Sequence, residues 1–78
     1  MCATEAVRVR IRELCKERNL TLGGLSTCSG ITKSTLDNLF SGRNKSVTVS
    51  TIKKVCDGLE IGLIEFFDSD LFRNLDSD

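Results

Sequence analysis

Residues 30–42 read GITKSTLDNLFSG, a short helical segment held between two glycines. Leu36, Leu39 and Phe40 recur at the spacing of one helix face and can anchor it. Lys33, Ser34, Thr35 and Asn38 are small or hydrogen-bonding groups that a core does not need, and 33, 34 and 38 lie opposite Leu36 and Leu39. Thr32 is placed to cap the first turn and Gly42 to end the helix. The segment offers polar side chains outward from an anchored helix, and the flanking sequence indicates what they meet.

Just upstream, Thr21 is a good N-cap for another short helix containing Leu22, Leu25 and Cys28. Gly23 and Gly24 each cost about 1 kcal/mol against Ala in a helix interior, so packing rather than propensity must hold it. Ser29-Gly30 reads as the turn between the two helices. Further upstream, EAVRVRIRELCKERNL carries Val7, Ile11, Leu14 and Cys15 at i, i+4, i+7 and i+8, with Arg8, Arg10, Arg12, Glu13, Lys16 and Glu17 between them. That is an amphipathic first helix, with Asn19 as its stop. Downstream, SGRNKSVTVS is a polar, basic loop. Thr48 or Ser50 caps a fourth helix with Ile52, Val55, Cys56 and Leu59, stopped near Gly58 to Gly62. A fifth helix follows with Leu63, Ile64, Phe66 and Phe67. The pattern predicts an all-α, five-helix bundle: one domain over residues 1–68 and an acidic tail over 69–78.

A chain of 78 residues has room for one small core and no second domain. No uninterrupted apolar segment resembles a signal peptide or a membrane span, and the expectation is a cytoplasmic protein. Cys2, Cys15, Cys28 and Cys56 form no C-x-x-C pair, and the chain contains no His to complete a zinc site or to serve as base for a nucleophilic cysteine. No metal, cofactor or small-molecule ligand is expected, and no enzymatic activity.

The formal net charge is zero, yet residues 1–54 hold ten Lys/Arg against four Asp/Glu while residues 55–78 hold one against seven. A polyanionic partner responds to the local face and not to the overall pI. Two short helices joined by a tight glycine turn, the second exposing polar groups near its start, have the geometry of a helix-turn-helix that places its second helix in a DNA major groove. Lys33 can donate to guanine, Asn38 can pair with adenine, Ser34 can serve either, and the Thr35 methyl can touch thymine. Thr21, Leu22 and Thr32 at the helix starts, and Arg43, Asn44, Lys45 and Ser46 in the following loop, are candidates for phosphate contacts. Taken singly, Lys33 is equally an ordinary surface lysine and residues 43–46 an ordinary solvated loop. Their combination with the turn favours DNA.

Over residues 7–67 the chain resembles the Xre/Cro-type, lambda-repressor-like helix-turn-helix domain of bacterial and phage regulators. The residues that carry the resemblance are Leu25 in the second helix, Gly30-Ile31-Thr32 at the turn, Thr35-Leu36 in the third, Gly42 at its stop, and Thr51-Ile52 with Leu59 in the fourth. The resemblance implies a compact five-helix domain, with Lys33, Ser34, Thr35 and Asn38 where the family reads bases. It also shows departures: Leu22 replaces a common Gln, Ser26 a usual Ala, Phe40 a frequent Glu, and Val47 a frequent Pro. Such domains commonly bind as dimers to half-sites ~34 Å apart. Phe66, Phe67, Leu71, Phe72 and Leu75 would either form that dimer face or fold back over the chain's own core. The expected function is a sequence-specific transcriptional regulator binding double-stranded DNA. The alternative is a non-enzymatic interaction module, antitoxin-like or adaptor, on the same fold.

Overall fold

The computed structural model describes residues 1–42 and 46–76. The first helix, α1 (Ala3–Glu17), ends where Asn19 takes a left-handed conformation at φ 51. It buries Val7, Ile11 and Leu14, the predicted stripe, together with Thr4 and Ala6. Then come α2 (Leu22–Ser29), α3 (Lys33–Phe40), α4 (Val49–Leu59), α5 (Leu63–Phe67) and a 3-10 turn, Asp70–Phe72. Among the described residues there is no strand, only an isolated bridge between Cys2 and Asp76.

Three helices start in the same way. Thr21, Thr32 and Thr48 accept hydrogen bonds from the N–H groups of Gly24, Thr35 and Thr51 at 3.1, 3.2 and 3.1 Å. Each satisfies one of the donors that a helix start leaves without an intrahelical partner. At two of them the third helical residue is again Thr, and the two hydroxyls bond each other, Thr32 to Thr35 at 2.8 Å and Thr48 to Thr51 at 3.0 Å.

The core gathers Val7, Ile11 and Leu14 of α1, Leu25 of α2, Leu36 and Leu39 of α3, four residues of α4 and Phe66 of α5. The stop expected near Gly58 to Gly62 falls at Leu59 and Glu60, one residue past Gly58. Gly58 lies inside α4, which continues to Leu59 and is closed by Glu60 in a left-handed conformation, while Gly62 stands at the start of α5. The reason Gly58 is glycine is packing: α4 crosses the end of α2 there with no room for a side chain.

The chain's end folds back. Phe72 packs against Phe66, tilted at 6.1 Å between ring centroids, and meets Phe67 edge-on at 4.9 Å, while Phe66 meets Phe67 edge-on at 5.0 Å. The Met1 ammonium donates to Asp76 Oδ2 at 2.7 Å, which raises the proton affinity of the amine and lowers that of the carboxyl. Phe66 is therefore corrected as a dimer-face residue: it is wholly buried in the chain's own core.

Candidate nucleic-acid interface

The turn between α2 and α3 is built from small side chains. Gly30 adopts φ 74, a region that costs other residues strain, and its N–H returns to Ser26 O at 3.0 Å, ending α2. The Ser26 hydroxyl donates to Ile31 O at 2.6 Å across the turn, and Ser29 Oγ donates to Leu25 O at 2.6 Å while receiving Ile31 N–H at 3.3 Å. Ser26 in place of the family's usual Ala thus supplies a bond that ties the turn to α2. Ile31, buried, pins the turn to the core.

On α3 the burial follows the expected division. Leu36 and Leu39 are buried, Phe40 is half-buried, Lys33, Ser34, Thr35 and Asp37 are exposed, and Asn38 is half-buried. The exposed face thus includes one carboxylate, Asp37, that the sequence reading gave no role. Thr35 is bonded to Thr32 through its hydroxyl, and its methyl is free of that bond.

Thr35 and Leu39 share a recess of about 110 Å³ with Ser46, Val47, Thr48 and Thr51. The structure therefore brings the recognition-helix candidate and the start of α4 together. The sequence marks Thr48 as a candidate cap and Thr51 as part of the family pattern of the fourth helix, and gives neither a place beside α3. The signal that could have placed them here is the repeated T-x-x-T at 32–35 and 48–51. Arg43, Asn44 and Lys45 lie outside the described residues.

Thr21 and Thr32 are exposed at the starts of α2 and α3. Leu22, also exposed, does not join the recess beside Thr35. It lines a separate groove of about 290 Å³ with Arg12, Cys15, Lys16, Leu20 and Phe40. Two of the departures from the family pattern, Leu22 and Phe40, thus meet on one surface. The Arg12 guanidinium lies over the Phe40 ring, 5.0 Å from its centroid, a cation–π contact where a carboxylate would have invited an ion pair.

Sequence comparison matches residues 10–69 to the Cro/C1-type HTH DNA-binding domain. The chain belongs to the Cro/C1-type helix-turn-helix family. It is also similar to a solved structure, the prophage Lp1 protein 11, with 36% identity and a TM-score of 0.83 over 96% of this chain and 100% of that one. No curated protein matches it. A Cro/C1-type domain indicates a DNA-binding regulator, from a family that is typically non-enzymatic. Among the described residues no helix is long and apolar enough to cross a membrane.

Proposed function

We propose that this Cro/C1-type domain is a sequence-specific regulator of transcription that reads double-stranded DNA by laying α3 in the major groove. The observation that carries the reading is the division of α3 itself: two buried leucines hold a helix whose opposite face exposes Lys33 and Ser34, with Asn38 half-buried beside them, next to a capped, glycine-closed turn. In this reading Lys33, Ser34, Thr35 and Asn38 contact bases, and Thr21, Leu22, Thr32 and Ser46, with Arg43, Asn44 and Lys45, contact phosphates. The start of α2 suits a phosphate because the first N–H groups of a helix point outward at its positive end.

Residues 1–68 would form the DNA-binding domain and residues 69–78 its acidic extension, kept off the phosphate backbone by its charge. A homodimer would use the apolar surface left at the chain's end, where Phe67 and Leu75 are exposed.

The test is a fluorescence-anisotropy titration of the protein against a randomised duplex pool and against the DNA upstream of its own gene, at two salt concentrations. Tighter binding to the upstream DNA, with log affinity falling by roughly 0.9 per neutralised phosphate as log salt rises, supports the regulator. No binding to either duplex at low salt would overturn it in favour of an interaction module on this fold.

A further inference from the structure

Three arginines of α1 end on the carbonyl termini of two other helices. Arg8 Nε donates to Leu39 O at 2.7 Å, and Arg12 Nη2 reaches Phe40 O at 3.5 Å. Arg10 instead donates to Phe66 O at 2.7 Å and Glu65 O at 3.0 Å. The spacing dictates this division. Arg8 and Arg12 stand at i and i+4 on one face of α1, and Arg10 lies roughly 200° around the helix from Arg8.

At the end of α3 the bonding is complete. A helix leaves its last four carbonyls without an intrahelical partner. Here Asp37 O receives Ser41 N–H at 2.9 Å, Asn38 O receives Ser41 Oγ–H at 3.1 Å, and the arginines take Leu39 O and Phe40 O. The last turn of α3 has no basic residue of its own. The positive charge that complements the negative end of its dipole comes from α1.

We infer that Arg8 and Arg12 are positioning residues for base recognition, setting the tilt of α3 through its terminal carbonyls without touching DNA themselves. This rests on the reading that α3 contacts bases. Leu36 and Leu39 fix one face of α3 in the core, and the bonds from Arg8 and Arg12 fix its carbonyl end against α1. An eight-residue helix is about 12 Å long, so a tilt of about 5° moves one end against the other by about 1 Å. That exceeds the roughly 0.5 Å a binding constellation tolerates.

The experiment compares wild type, Arg8→Met and Arg8→Lys on two probes: the duplex that wild type enriches from a randomised pool, and a random duplex of equal length. Melting temperature is followed in parallel. Arg8→Met is expected to lose roughly tenfold on the enriched duplex, the scale of one base contact. Its affinity for random duplex and its salt slope stay as in wild type, and Arg8→Lys, which keeps a cationic donor, recovers part of the loss. Equal losses on both probes with a slope shallower by about 0.9 would make Arg8 a phosphate contact and overturn the inference. A lowered melting temperature with unchanged preference would overturn it too, as the mark of a bond that serves stability alone. Should Arg8→Met not fold, Arg12→Met, at the longer and exposed bond, is read against the same outcomes. A wild-type protein that enriches no sequence removes the α3 reading and the inference together, whereas variants that keep the wild-type preference sink the inference alone.

Discussion

Gly58 of α4 sits against the backbone of Cys28 at the end of α2: a Cβ on Gly58 would stand 2.9 Å from the Cys28 carbonyl carbon and oxygen, and as close to Ser29 Cα. The contact places α4 under the helix-turn-helix and fixes where the turn at Gly30 emerges.

Two effects of Gly58→Ala oppose each other. Alanine in a helix interior is favoured over glycine by about 1 kcal/mol. The clash is with backbone, which no rotamer change relieves, and overpacking of this kind costs about 1–3 kcal/mol. The clash should win, with a lower urea midpoint at unchanged m-value. A midpoint equal to or above wild type would show that α2 and α4 separate at little cost.

Asn38→Ala removes the amide suited to a bidentate bond with adenine. On the proposed reading it costs ~1–3 kcal/mol on the preferred duplex and relaxes preference at one base pair, with random-duplex binding unchanged. Affinity for a panel of single-base-pair variants checks this. Preference retained at every position would remove Asn38 from the readers.

Phe72→Ala tests the folded-back end. A fully buried Phe costs about 3–5 kcal/mol on truncation, and Phe72 is only half-buried, so a loss of about 2 kcal/mol is expected. Because its partners Phe66 and Phe67 belong to the same chain, the loss should not depend on protein concentration. A melting temperature that converges with wild type on dilution would instead place Phe72 in an interface between copies.

Arg10→Met leaves the carbonyls of Glu65 and Phe66 without their cationic donor. Hydrogen bonds to a charged group contribute about 1.5–3 kcal/mol each, less where solvent reaches them. Since the Phe66 contact is part-buried and the Glu65 contact exposed, a loss of about 2 kcal/mol is expected, or roughly 10 °C in melting temperature for a domain of this size. Differential scanning calorimetry gives the value directly.

The cysteines should label in order of exposure. Cys28 is exposed, whereas burial, the first cause at each, pushes the Cys15 and Cys56 thiols above their usual value. Alkylation near neutral pH should therefore modify Cys28 well before Cys56, resolved by mass spectrometry. The sign of the pH effect follows. A folded-state value raised above the unfolded one contributes stability below the unfolded value, near 9.0, that is lost as pH rises through the folded value. Stability should thus decline on the alkaline side, and a Cys56→Ala, Cys15→Ala double variant should show a shallower decline.

The helices were legible because their signals are local. Threonine caps at 21, 32 and 48 and the apolar periodicity of α1, α3 and α4 are written within a few residues of the elements they create. The packing role of Gly58 was not legible for the opposite reason: a glycine near a helix stop and a glycine that lets another backbone approach look alike in sequence, and only the crossing of α2 and α4 tells them apart. Phe66, Phe67 and Phe72 were apolar on either reading of the chain's end. Which surface they cover depends on how α5 meets α1, a contact between residues more than fifty positions apart.

By itself, then, the sequence of this Cro/C1-type domain determined five helices, the turn at Gly30 and the polar face of α3, since caps, periodicity and the left-handed preference of glycine act over one or two turns of chain. The tertiary structure alone decided what the arginines of α1 do. In sequence Arg8, Arg10 and Arg12 are three charges set between the apolar positions of one helix. In the fold the carbonyl ends of α3 and α5 arrive on either side of α1, and the helix dipole makes each of them a partner for a cation.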